Sequence, residues 1–122
     1  MKAIILALFI TVITITACTK PNDTTTLQLR VRNTTVKNFK STAAAGAEFG
    51  SINAGAVTSY KIFNQIIAYP GANFVVASDT TYAGSLYCGT PPLPYLDKGK
   101  YTLEIFEDGT SYTGYNARFI KD

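Results

Sequence analysis

The run Leu27-Gln28-Leu29-Arg30-Val31-Arg32 alternates apolar and polar side chains without a fault. Successive side chains of a strand point to opposite faces, so this pattern predicts a strand that buries Leu27, Leu29 and Val31 and leaves Gln28, Arg30 and Arg32 in water. Asn33-Thr34-Thr35 reads as a turn. A shorter second strand is expected over 36–41, where Val36 and Phe39 fall out of register by one, a mismatch that a bulge would reconcile. Asn53-Ala54-Gly55 is a turn signal before residues 56–63, where Thr58, Tyr60 and Ile62 share one face and Thr, Ser, Tyr and Ile favour strand over helix.

Residues 64–70 (NQIIAYP) fit a short helical turn or a strand, stopped by Pro70-Gly71. Phe74-Val75-Val76-Ala77 is apolar on both faces and predicts a central strand, with Asp79-Thr80 as its turn and 82–87 as its hairpin partner. Residues 89–99 hold three of the five Pro, which cannot sit in a central strand, and predict a long extended crossover. Tyr101, Leu103 and Ile105 alternate with Thr102 and Glu104; a turn over 107–110 with the Asp-Gly signature then leads to a last strand over 111–121. Seven to eight short strands with frequent turn signals and no helix predict an all-β fold, an antiparallel two-sheet sandwich of immunoglobulin-like or transthyretin-like type. A small closed β-barrel is the alternative.

The N-terminal segment breaks this rhythm. Residues 1–17 (MKAIILALFITVITITA) hold 13 hydrophobic residues and one charge, Lys2. A basic start, an apolar run and a small residue at its end predict a signal peptide, and the run is shorter than the about 20 apolar residues of a spanning helix. Ile15-Thr16-Ala17-Cys18 resembles the bacterial lipobox. That resemblance implies that Cys18 becomes the first mature residue and carries a thioether-linked diacylglycerol, its amino group usually acylated as well with a chain such as palmitate. Each buried CH₂ of such chains contributes about 0.8 kcal/mol, so several anchor a protein without any span. Residues 18–26 then form the lipidated Cys and a polar tether, and 27–122 one domain.

Composition narrows the function. The chain of 122 residues has no His and two Cys, which excludes Ser-His and Cys-His nucleophilic sites, zinc sites that use His and a four-thiolate zinc site. Residues 18–122 carry 10 Lys and Arg against 8 Asp and Glu, scattered along the chain. No basic stripe suggests nucleic acid as a partner. Arg30 and Arg32 are expected on one solvated strand face. Glu104 and Glu107 fall on opposite faces of one strand by parity, which does not build the carboxylate pair of a glycosidase. No catalytic residue, metal site or cofactor is expected. Cys88 has no Lys or Arg beside it in sequence to lower its pKa and reads as a buried small apolar residue.

The order of lipobox, polar tether, L-x-L-R-V-R-N strand, F-G-S-I-N-A-G-x-x-T-S-Y-K-x-F over 49–63, P-x-L-x-K-G-K-Y-T-L-E-I over 94–105 and terminal F-I-K-D resembles small lipoproteins of Bacteroidetes that carry no assigned activity. The resemblance implies architecture and address, a lipid-anchored protein of the cell envelope at the outer membrane. Asp23-Thr24-Thr25 and Asp79-Thr80-Thr81 also resemble the acceptor pattern for O-glycosylation of exported proteins in that group, which marks Thr24 and Thr80.

Eight Tyr and no Trp make Tyr the candidate contact residue, a flat apolar face with a polar tip. Tyr69, Tyr87 and Tyr95 lie in Pro-bearing irregular sequence, where loops carry function; Tyr60 and Tyr101 alternate with the core. The expected function is a non-catalytic envelope accessory or interaction module that presents loops 64–72 and 84–97 to a protein or glycan. The alternative is a small-ligand carrier or transport accessory with a cavity between its sheets.

Overall fold

A computed structural model describes residues 25–85 and 90–122. The expected signal segment, Cys18, Thr24, Tyr87 and Cys88 lie outside the described residues.

Among the described residues eight strands form two four-stranded sheets, a sandwich and not a closed barrel. They are β1 (Leu27–Asn33), β2 (Phe39–Ala44), β3 (Ala47–Ile52), β4 (Lys61–Phe63), β5 (Gly71–Val76), β6 (Asp79–Gly84), β7 (Gly99–Glu107) and β8 (Tyr115–Lys121). One sheet has the order β4-β1-β7-β8, the other β3-β2-β5-β6. All pairings are antiparallel except β1 with β7, which run parallel from Leu27 opposite Gly99 to Asn33 opposite Ile105. The first sheet is therefore mixed, where sequence alone suggested an antiparallel one. A parallel pair needs a long connection, and the Pro-rich crossover before β7 is the last leg of it.

The alternation in β1 translates directly into burial: Leu27, Leu29 and Val31 face inward beside Leu103 and Ile105 of β7. β5 is central, paired to β2 on one side and β6 on the other, with Ala72 and Phe74 buried. At one end of the sandwich Phe39 and Phe74 pack with centroids 4.1 Å apart, and Tyr115 of the opposite sheet meets Phe74 edge-on at 5.2 Å. Such edge-to-face pairs are favoured by the ring quadrupole and join the two sheets.

Several boundaries differ from the sequence reading. Val36 is 83% exposed and belongs to the loop before β2. The strand begins at Phe39 because Asn33 draws the loop inward: its Nδ2 donates to the carbonyls of Lys37 (2.7 Å) and Ile52 (3.1 Å), and its Oδ1 accepts from Thr35 N (2.9 Å). No bulge reconciles Val36 with Phe39, since Val36 lies outside the strand; a different irregularity falls further along, at Ser41, where φ is 50° and the β2–β3 register shifts. The strand expected over 56–63 reduces to Lys61–Phe63 plus a bridge from Val57 to Arg32. Tyr60 is not in the core; it lies on the outer face of the first sheet under Arg30 and Lys100. The β5–β6 turn is Ala77-Ser78, both at positive φ, so Asp79 and Thr80 open β6 and do not form the turn. After Glu107 the chain makes a longer loop, and β8 starts at Tyr115 and not at 111; Asp108 Oδ1 holds the loop by accepting from Thr110 N (3.0 Å) and Thr110 Oγ1 (2.6 Å).

The connections sort by end. β1 and β7 start together, with Gly99 N donating to Thr26 O at 2.8 Å, and β8 finishes beside them, Lys121 opposite Tyr101. Asn33 and Ile105 mark the other end, tied to Ile52 and to Thr34. The segment before β1 therefore leaves from the end where β7 begins.

Candidate functional site

At that end the sandwich is not filled. A cleft of about 390 Å³ opens among Leu29, Leu103 and Phe119 of the first sheet, the Ala45-Gly46 turn of the second, residues 65–67, Tyr69 and Tyr95. Leu29, Ile66 and Leu103 are buried, whereas Ile67, Tyr69 and Tyr95 are exposed. The cleft thus runs from the core to the surface.

Local sequence explains the gap. The β2–β3 connection is two residues, Ala45 (φ 52°) and Gly46 (φ 77°), a backbone conformation that suits a tight hairpin and tolerates only small side chains well. Opposite the large Leu29, Leu103 and Phe119, this turn brings one methyl group and no side chain at all. Interiors elsewhere are close-packed; here the second sheet supplies too little volume to meet the first.

Two loops cover the opening. Residues 66–68 and 94–96 form a short antiparallel ladder: Ile67 pairs with Tyr95, Ala68 N donates to Pro94 O (2.9 Å), and Leu96 N donates to Ile66 O (2.9 Å). The ladder drives Ile66 into the core and leaves Tyr69 and Tyr95, 39% and 45% exposed, at the rim. The described parts of both loops expected to carry contacts are thereby joined at 66–68 and 94–96, and two of the three proposed Tyr line one cleft. Thr80 lies apart, exposed on β6 and paired with Val75.

The side chains of the lining are mostly apolar. Leu29, Ala45, Ile66, Ile67, Leu103 and Phe119 make most of it; Gln65 and the two Tyr add the polar side-chain atoms, and no carboxylate, Lys or Arg belongs to it. Among the described residues no group of three or more His, Cys, Asp or Glu could hold a metal ion. Arg30, Arg32, Glu104 and Arg118 of the first sheet sit on its outer face, engaged with one another or with Asp122: Arg118 Nε donates to Glu104 Oε1 at 3.1 Å, Arg32 Nη1 lies 3.7 Å from Glu104 Oε2, and Arg30 Nε donates to Thr102 Oγ1, which donates to Asp122, whereas Lys61 and Lys121 lie over the rings of Phe49 and Tyr101. Arg30 and Arg32 are on one face, as their spacing predicts, but ion-paired.

The floor of the cleft was hidden from sequence reasoning. Alternation says that Leu29, Leu103 and Phe119 point inward, not that the facing sheet stops short of them; the only signal was the run of small residues 43–47 (AAAGA). No family model, curated protein or solved structure matches the chain.

Proposed function

We propose that this protein is a non-catalytic binding module of the bacterial cell envelope, anchored by lipid at Cys18, whose binding element is the cleft rimmed by Tyr69 and Tyr95. The observation that carries the reading is the convergence of loops 64–70 and 90–98 on a single apolar cleft. Pockets that accept ligands are concave, mostly apolar and of about 300–1,000 Å³. A lining whose only titratable side chains are two Tyr phenols suits binding better than acid–base or nucleophilic catalysis.

The depth of the cleft favours a partner that inserts an apolar group over one that lies flat across the Tyr surface, which brings the small-ligand carrier to the fore as the form this module takes. Two measurements test the proposal. Replacing Cys18 by Ser should abolish palmitate labelling of the chain, and continued labelling would end the anchoring reading. Crosslinking in intact envelopes should capture a ligand or partner with the wild-type chain and at least tenfold less with Tyr69→Ala/Tyr95→Ala. Equal capture by the double variant would move the binding element elsewhere.

A further inference from the structure

The position of the cleft, together with its lining, narrows what it can hold. Its floor is aliphatic apart from Phe119. Beside the cleft the two rim segments already bond each other through the main chain, Ala68 N to Pro94 O and Leu96 N to Ile66 O. Burying a polar ligand group against such a lining would leave it unpaired at a cost of about 1–3 kcal/mol each. An alkyl chain has no such groups and gains from every CH₂ that leaves water. The polar atoms at the mouth, Gln65 and the Tyr69 and Tyr95 hydroxyls, suit the head of an amphiphile that remains outside.

The second observation is where the chain leads. Thr26 lies at the start of β1, bonded to Gly99 at the cleft end, and Cys18 is eight residues before it. Eight residues span at most about 28 Å fully extended. An anchor at Cys18 therefore keeps Thr26, at the cleft end of the sandwich, within that distance of the bilayer, while Val36 and Tyr112, the most exposed large hydrophobic side chains among the described residues, belong to loops at the far end.

We infer that the cleft binds an acyl chain presented at the membrane surface, the chain inserted toward Leu29 and Leu103 and the polar head left at Tyr69, Tyr95 and Gln65. This rests on the reading of Cys18 as the anchor and of the cleft as the binding element. The chain could come from a separate lipid or from the anchor itself.

The test uses the full chain purified from bacterial membranes, placed in phospholipid nanodiscs and irradiated with a diazirine-bearing palmitate, with labelled peptides mapped by mass spectrometry. Label should concentrate on peptides spanning 65–69 and 95, be displaced by excess palmitate, fall at least tenfold in Ile67→Asp and survive in Ile67→Leu. Val36→Asp, at the opposite end, should label like wild type, and circular dichroism checks that each variant is folded. Label in the wild-type protein identifies a separate lipid as the source; label that emerges only in Cys18→Ser identifies the protein's own anchor as the occupant. Label spread evenly over the domain, or unchanged in Ile67→Asp, overturns the acyl site. Failure of the anchor reads out differently, as wild-type chain that washes off the discs.

Discussion

The hydroxyl of Tyr60 donates a 2.6 Å hydrogen bond to Oδ2 of Asp122, 62 residues on, and so ties the approach to β4 to the end of β8 across the outer face of β1 and β7. Arg30 and Lys100 flank the same ring, 4.7 and 5.3 Å from its centroid, and cations so placed are drawn to the π-face.

Partial burial, then the bond to Asp122 and that carboxylate's charge, raise the Tyr60 phenol above its ordinary value, with Arg30 pulling the other way; burial raises Tyr82 as well. Both groups hold their protons more tightly folded than unfolded. Their contribution is intact below about pH 10 and is lost as pH rises through the folded values. Thermal melts should therefore fall above about pH 10, and Tyr60→Phe should flatten part of that fall. An unchanged slope in the variant would show that Tyr60 does not contribute to it.

Glu104 serves two guanidiniums from a position 8% exposed. Glu104→Gln should cost about 2 kcal/mol, since hydrogen bonds to charged groups are the stronger ones. Arg118, whose side chain is 60% exposed, should cost under about 1 kcal/mol as Arg118→Ala. Urea titration of the two variants checks the order.

Asn33 is fully buried with its amide satisfied on both sides. Asn33→Ala should destabilise by about 2–4 kcal/mol, because it strands buried partners in the 33–38 loop and at Ile52. Hydrogen exchange at the Thr35 amide should quicken more than at Leu103. Equal protection of Thr35 in variant and wild type would remove Asn33 from its role as the pin.

Thr42 is fully buried, and its Oγ1 has no hydrogen-bond partner among the described residues. A buried hydroxyl without a partner is a cost of about 1–3 kcal/mol, so Thr42→Val, which keeps the shape, should raise stability by about 1 kcal/mol. Thr42→Ser should bring no gain. Denaturant midpoints distinguish the two.

The strands with strict alternation were legible because one residue decides one face: Leu27 to Val31 and Tyr101 to Ile105 needed no tertiary information. Tyr60 misled because alternation assigns a residue to one of two faces without saying which is wet; Thr58 and Ile62 beside it suggested the core, and Arg30 and Lys100 from other strands drew the ring outward. Val36 misled through hydrophobicity, since the strand was delayed by the four hydrogen bonds of Asn33, a polar residue whose burial depends on partners up to 19 residues away. The rim of the cleft was legible in Tyr69 and Tyr95 as loop aromatics. Its floor was not, because a cavity is the difference between two surfaces and only one of them is written in any local stretch of chain.

β1 is an interior strand, bordered by antiparallel β4 at Leu27, Gln28 and Leu29 and by β7 along all seven of its residues. Tension arriving through Thr26 pulls along the axis of that strand, so its ladder bonds are loaded together in shear and cannot open one at a time like a zip. An edge strand in the same place would peel. A domain tugged through Thr26 should yield at forces set by the whole β1–β7 ladder, which would make β1 a mechanically suitable strand to carry the anchor proposed at Cys18.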